Sequence, residues 1–84
     1  MTAPRILVGD DESDIRTLIQ EILSEEGYDV TMAVDAAAAR EARDAVDPDL
    51  VLLDIWMPDT DGISLLREWS SEGRSLCPVV MMSG

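Results

Sequence analysis

The chain has 84 residues, enough for one small domain that buries roughly 60% of the surface of its unfolded form. Eighteen acidic residues stand against six basic ones, all of them arginine, so the net charge is −12. This excess of acid argues against direct binding to nucleic acid or to an anionic membrane surface, which depends on basic patches. It favours cations and basic partner surfaces.

Targeting signals are not evident in the sequence. No apolar run approaches the ~20 residues of a membrane span, and the first residues lack the apolar core of a secretory signal. We therefore expect a cytoplasmic protein without membrane contact. The single cysteine, Cys77, cannot form an internal disulfide, and its place beside Pro78 at the head of an apolar run favours buried packing over reactivity.

The first half of the chain predicts two strands around one helix. Apolar residues predict strands at 5–9 and 28–33. Between them, Ser13 is a suitable N-cap and Gly27 stands where a C′ glycine belongs. The helix has apolar residues at helical spacing, namely Ile15, Leu18, Ile19, Ile22 and Leu23.

The second half repeats this alternation. Asp35 is the expected N-cap of an alanine-rich helix that Pro48 prevents from continuing. Strands are predicted at 49–54 and 77–83, with a helix from about 61 to 71 between them. The apolar side of that last helix consists of Ile63, Leu65, Leu66 and Trp69.

The alternation of strands and helices predicts an α/β fold with a parallel, doubly wound sheet and right-handed crossovers. Three strands are continuously apolar, as strands covered on both faces are, whereas residues 28–32 alternate. The alternating strand therefore belongs at an edge. The expected strand order, numbered along the chain, is 2-1-3-4.

Acidic residues end two strands that this order makes neighbours. Ligands bind beyond the carboxyl ends of parallel strands where the strand order reverses, here between strands 1 and 3. Asp10 and Asp11 follow strand 1, Asp54 ends strand 3, and Ser83 and Gly84 end strand 4. At about 5 Å and an effective dielectric near 20, each pair of like charges costs about 3 kcal/mol.

A bound cation would relieve this repulsion, and an all-oxygen site with few carboxylates suits Mg²⁺. Zinc and copper are disfavoured because the chain has no histidine and one cysteine. Each acid alone would more often be a solvated loop residue. Three acidic residues at adjacent strand ends, however, favour a metal site over three solvated loop residues.

These residues carry a resemblance to a known family. The acidic pair in "ILVGDDE", the segment "DIWMPDTDG" and the strand ending "VVMMSG" occur in the order and at the spacings of the receiver domain of two-component response regulators. Within that family, "DIW" and "MSG" are most similar to receivers of the nitrogen-regulation NtrX type. The resemblance implies a flavodoxin-like fold and a signalling function.

The resemblance also implies roles for individual residues. Asp54 would be the phosphoacceptor, and Asp11 and Asp54 would ligate Mg²⁺ directly, with Asp10 acting mainly through water. The backbone carbonyl of Trp56 would complete the protein ligands. The Ser83 hydroxyl and the Gly84 amide would contact the phosphoryl group.

The implied partner is a sensor histidine kinase, or a small phosphodonor in its place. The chain would then be a phosphoacceptor and not an enzyme. Pro58 and Gly62 would shape the loop after the acceptor, glycine by its conformational freedom. The Trp56 side chain would either shield the acyl phosphate from water or pack on the surface.

The family pattern continues after Gly84 with a fourth helix, a fifth strand ending near a lysine, and a fifth helix. We therefore expect residues 1–84 to form a single but incomplete receiver domain, a fragment of a longer protein. The chain has no lysine, so these residues do not supply the cation that the family places beside the acceptor. The uncovered sheet would favour a homodimer or exchange of elements.

Two other functions are considered. The chain would act as a dimerisation or interaction module without phosphorelay activity if the missing lysine abolished transfer. An aspartate-nucleophile phosphohydrolase is disfavoured, because such enzymes place a second aspartate where this chain has Trp56.

Overall fold

The computed structural model of the chain describes residues 3–57, 60–72 and 77–82. Strands and helices alternate along them, and the bounds agree with the predicted ones to within a few residues. The strands are β1 (Arg5–Gly9), β2 (Asp29–Ala33), β3 (Leu50–Asp54) and β4 (Val79–Met82). The helices are α1 (Ser13–Glu25), α2 (Ala36–Val46) and α3 (Gly62–Ser71).

The four strands form one parallel sheet in the order β2-β1-β3-β4, which confirms the predicted topology. β1 and β3 are neighbours, with Gly9 opposite Leu53. Because the strands are parallel and in this register, the residues that follow β1 and those that end β3 meet at one edge of the sheet.

Aspartate side chains begin two of the three helices. The Ala38 amide donates to the Asp35 carboxylate at 2.8 Å, which confirms Asp35 as the N-cap of α2. Asp61 caps α3 in the same way. The prediction for Ser13 is wrong: this residue is already helical, and Glu12 is the N-cap, without a capping side-chain bond.

The main core lies on the sheet face that α2 and α3 cover. Cys77 packs half-buried against it, and burial raises the pKa of its thiol, in agreement with a packing role. The prediction that Ile63 belongs to the apolar side of α3 that packs on the sheet is wrong, because Ile63 is 45% exposed. The buried core residues are Leu7, Ala33, Ala36, Ala39, Val51, Leu53, Met57, Leu65 and Trp69.

The opposite sheet face is covered less completely. The chain moves from β1 to β2 in one direction across the sheet and from β2 to β3 and β4 in the other. Because the crossovers of parallel strands are right-handed, α1 lies on the face opposite α2 and α3. Ile6 and Val8 are buried on this face. No residue of α1 is fully buried. Leu18 is 53% exposed and Ile22 52% exposed, so much of the apolar stripe of this helix faces solvent.

Arg43 joins α2 to α3 in the interior. Its side chain is 6% exposed, its Nη1 donates to Glu72 Oε2 at 2.7 Å, and its guanidinium lies 4.7 Å from the centre of the Trp69 ring. The neighbouring pair of Arg40 with Glu68 spans the same helices but is about 40% exposed. The Arg40 pair is exposed and has two hydrogen bonds, whereas Arg43 is buried, has one hydrogen bond to Glu72 and also contacts the Trp69 ring.

We expect Arg43→Ala to lower the free energy of unfolding by about 2 to 4 kcal/mol, because the buried guanidinium loses its ion pair with Glu72 and its stacking contact with Trp69 together. Arg40→Ala, at the exposed pair, should cost less than about 1 kcal/mol. Urea unfolding of both variants measures the difference. Equal losses would show that burial does not set the contribution of these pairs.

Candidate functional site

The candidate site lies at the carboxyl ends of β1 and β3. Gly9 ends β1 and Asp10 follows it, while Asp54 is the last residue of β3. The order of the strands changes direction here: β2 lies on one side of β1, and β3, the next strand in the chain, lies on the other side of β1. The two strands thus hold both carboxylates at the carboxyl-terminal end of the sheet.

Asp10 is held by its backbone and its side chain. Its amide donates to the Ala33 carbonyl at 3.0 Å, which extends the pairing of β1 with β2 by one residue. Its Oδ1 accepts a hydrogen bond from the Glu12 amide at 2.9 Å. The residue is only 5% exposed, so its carboxylate is largely removed from water.

Asp54 is fixed in a similar way. The amide of the next residue, Ile55, donates to the Met82 carbonyl at 3.0 Å and anchors the end of β3 to β4. The Asp54 Oδ1 accepts a hydrogen bond from the Trp56 amide at 3.1 Å. Asp54 is 9% exposed, so most of its surface is removed from water.

The structure brings Asp10, Asp11 and Asp54 together, as their positions in the sequence predict. One carboxylate oxygen from each lies within 4.8 Å of the others. Burial, and then the charges of Asp54 and Asp11, raise the pKa of Asp10, while the Glu12 amide lowers it. Burial and the neighbouring charges together disfavour the ionised form of Asp10 in the folded protein.

The donor set fits Mg²⁺. It consists of carboxylate oxygens, with Asp11 exposed and the other two buried, so the cluster is open to solvent on one side. Hard cations take such ligands, and Mg²⁺ keeps part of its water shell when few carboxylates are present. The assignment of the Trp56 carbonyl as a further ligand stays a prediction.

The Trp56 side chain lies at the protein surface, and both alternatives considered for it, packing there or shielding the acyl phosphate, stay predictions. It is 69% exposed, whereas the adjacent Met57 is buried in the core. Successive side chains after Asp54 therefore differ sharply in burial, with Trp56 in solvent and Met57 in the core.

Gly62 lies next to the site, and the structural requirement for glycine at this position was not evident from the sequence. A Cβ atom here would overlap the backbone carbonyl oxygen of Asp54 and lie 2.8 Å from Met81 Cε. Gly62 is not among the residues with positive φ, so the expectation of unusual backbone freedom is wrong. Its amide donates to the Ile55 carbonyl at 2.8 Å, and this close approach needs a residue without a side chain.

Three residues given roles by the sequence, Pro58, Ser83 and Gly84, lie outside the described residues. Their predicted functions are not tested. In the ranges 3–57, 60–72 and 77–82, no helix combines the length and apolar character needed to cross a membrane.

Comparisons with known proteins agree with this geometry. The family described as "Response regulator receiver domain" matches residues 6–84. PhoP of Bacillus subtilis, an alkaline phosphatase synthesis transcriptional regulatory protein, is 37% identical over 79 residues, which cover 94% of this chain and 32% of PhoP. The chain spans about a third or less of the first curated relatives it matches.

Solved structures show the same fold. NtrX from Brucella abortus superimposes with a TM-score of 0.83 at 46% identity, covering 95% of this chain and 18% of that one. The response regulator TrrA from Thermotoga maritima, solved in complex with Mg²⁺ and BeF, gives a TM-score of 0.86 at 35% identity, covering 95% and 69%. The family match, these structures and the strand order together show that this chain belongs to the response regulator receiver domain family.

Proposed function

We propose that Asp54 accepts a phosphoryl group in a reaction that requires Mg²⁺ held at the cluster of Asp10, Asp11 and Asp54. The observation that carries this proposal is the convergence of the three carboxylates at the junction of β1 and β3. The complex of TrrA with Mg²⁺ and BeF supports the same assignment.

The reaction is a substitution at phosphorus. A carboxylate oxygen of Asp54 forms a bond to the phosphorus, the bond between phosphorus and the donor atom breaks, and the leaving group takes the electron pair. Such transfers depend on in-line positioning and charge neutralisation. The Trp56 amide orients the acceptor carboxylate through its hydrogen bond to Oδ1, and bound Mg²⁺ would offset negative charge on the phosphoryl oxygens.

The chain would be used stoichiometrically and would not turn over as an enzyme. Receiver domains of response regulators are phosphorylated by sensor histidine kinases, and we propose such a kinase, in the cytoplasm, as the physiological donor.

The proposal is tested with acetyl phosphate and Mg²⁺. Intact-mass measurement should show one phosphoryl increment per chain, absent without Mg²⁺ and in Asp54→Asn, because the amide is not a nucleophile. Asp14→Asn, which removes an exposed carboxylate of α1 with the same change in net charge, should retain the increment. A folded wild-type protein without any increment would refute phosphoacceptor activity in this chain.

A second candidate function is self-association through the apolar face around α1. Leu18, Ile22 and Val80 are each about half exposed on the described structure. Exposed apolar surface of this kind favours association, whereas the net charge of −12 opposes contact between two copies. The homodimer expected from the sequence therefore depends on how far this charge is screened.

We expect association to increase between about 0.1 M and 1 M NaCl, because the Debye length falls from about 10 Å to about 3 Å. Sedimentation equilibrium measures the mass. Leu18→Glu should abolish the increase, while Thr17→Glu, which adds the same charge beside the apolar stripe, should preserve it. A constant monomer mass over this range would exclude association through this face.

A further inference from the structure

Arg16, on α1, contacts the loop that carries two of the candidate metal ligands. Its Nη1 donates a hydrogen bond to the backbone carbonyl of Asp10 at 3.0 Å. Its own amide donates to the Glu12 carbonyl at 3.0 Å, which ties the start of the helix to the same loop. The Arg16 side chain is partly buried in this position.

This contact completes a set of hydrogen bonds around Asp10. The amide of Asp10 is bound to Ala33, its carboxylate to the Glu12 amide, and its carbonyl to Arg16. The first bond fixes the end of β1, and the other two fix the turn into α1. The direction in which the chain leaves Asp10, and with it the position of Asp11, depends on that turn.

The other arginines with described hydrogen bonds bind groups outside the candidate site. Arg40 and Arg43 pair with glutamates of α3, and Arg5 donates to the Val46 carbonyl at the far end of the sheet. The carboxylates of the cluster attract the Arg16 cation, but the same cation repels a bound Mg²⁺, so its charge alone would weaken metal binding. Its hydrogen bond to the Asp10 carbonyl offers a contribution of a different kind, because it fixes the backbone of the turn.

We propose that Arg16 is a positioning residue that fixes the turn of residues 10–12, so that the Asp10 and Asp11 oxygens reach Asp54 in the arrangement needed for Mg²⁺. This inference rests on the proposed function of the cluster. It assigns to Arg16 no contact with the metal or with the phosphoryl group.

The proposal predicts a change of opposite sign to the one that charge alone predicts. If Arg16 acted only through its charge, Arg16→Ala would tighten Mg²⁺ binding. If it positions the turn, the same variant should weaken Mg²⁺ binding by about 10-fold or more, the usual effect of removing an outer partner of a metal ligand. Arg16→Lys keeps a charged donor and should restore most of the affinity.

Mg²⁺ binding is measured by titration with isothermal calorimetry, with Arg40→Ala as the matched control. That variant removes the same charge from an exposed ion pair between α2 and α3 and should leave the affinity within about threefold of the wild type. Tighter binding in Arg16→Ala, or weakening of equal size in both variants, would overturn the proposal.

A second measurement needs no metal. In the metal-free protein, loss of Arg16 should speed hydrogen exchange of the Glu12 amide, which donates to Asp10 Oδ1, more than exchange of amides within β1. Arg16→Met retains the apolar stem and serves if Arg16→Ala does not fold. Unchanged Glu12 exchange would overturn the proposal.

The two measurements separate this inference from the proposed function. A wild-type protein that does not bind Mg²⁺ would refute the metal site. The exchange of the Glu12 amide would then decide by itself whether Arg16 fixes the turn.

Discussion

Replacing Asp10 with asparagine is expected to raise the free energy of unfolding of the metal-free protein by about 1 to 3 kcal/mol at pH 7, since one charge leaves a cluster of three. The side chain of asparagine still offers an oxygen to the Glu12 amide, so the hydrogen bond that orients residue 10 is retained. The gain therefore reports the cost of burying the Asp10 charge together with its repulsion by Asp54 and Asp11.

The pH dependence of this gain has a definite sign. The pKa of Asp10 is raised above its ordinary value of 3.8, chiefly by burial, so the folded protein binds a proton that the unfolded chain releases. Stability conferred by this proton is present at low pH and is lost as pH rises through the folded pKa. The advantage of Asp10→Asn should thus be small near pH 3.8 and reach its full size at neutral pH.

Added Mg²⁺ should reverse the order of stability. A ligand that binds only the folded state stabilises it in proportion to the logarithm of its concentration over the dissociation constant. The wild type should gain stability on titration, whereas Asp10→Asn should gain much less because the site has lost a charge. Urea unfolding at several Mg²⁺ concentrations measures both effects.

Asp14→Asn is the control for this experiment, because it changes the net charge equally in the exposed first turn of α1. It should leave the response to Mg²⁺ intact. Loss of stability in metal-free Asp10→Asn, or equal stabilisation of the variant and the wild type by Mg²⁺, would contradict the description of the cluster as a repulsive metal site.

The sheet and the acidic cluster were predictable because each follows from short-range pattern. Continuous apolar character placed β1 and β3 inside the sheet, and alternation placed β2 at its edge. That order alone moves Asp54 beside Asp10, although the two residues are far apart in the chain. The side chain of Asp35 caps a helix through a local bond, and it was predictable for the same reason.

Features that depend on contacts between elements were not predictable. Arg43 has an ordinary place on a helix, and its burial follows from where Trp69 and Glu72 arrive from α3. Ile63 continues the apolar pattern of α3, yet the orientation of that helix leaves it exposed. Sequence periodicity defines which residues share a helix face but not how far the neighbouring elements cover it.

Gly62 is the sharpest case, because glycine in a loop suggests backbone freedom whereas the structure shows a lack of space. We expect Gly62→Ala to lower the free energy of unfolding by at least about 3 kcal/mol, since the new methyl group overlaps the Asp54 carbonyl and crowds Met81. The intrinsic preference of a helix for alanine, about 1 kcal/mol, offsets only part of this cost.

Gly27→Ala is the matched comparison, because at Gly27 the backbone conformation is unfavourable for alanine while space for a methyl group is available. Gly27 has a φ of 91°, and no atom lies within 4 Å of the position its Cβ would occupy. Strain in the left-handed region should cost about 1 to 2 kcal/mol there, without any overlap. Urea unfolding of both variants under the same conditions compares the two costs directly.

The larger loss should occur at Gly62, and it should extend to function. The Asp54 carbonyl belongs to the residue proposed to accept the phosphoryl group, so relief of the overlap must displace the end of β3 or the start of α3. The fraction of Gly62→Ala that remains folded should therefore be phosphorylated more slowly by acetyl phosphate, whereas Gly27→Ala should react at the wild-type rate. A smaller loss of stability at Gly62 than at Gly27 would mean that α3 shifts away from β3 at little cost, and that its close approach does not fix the acceptor.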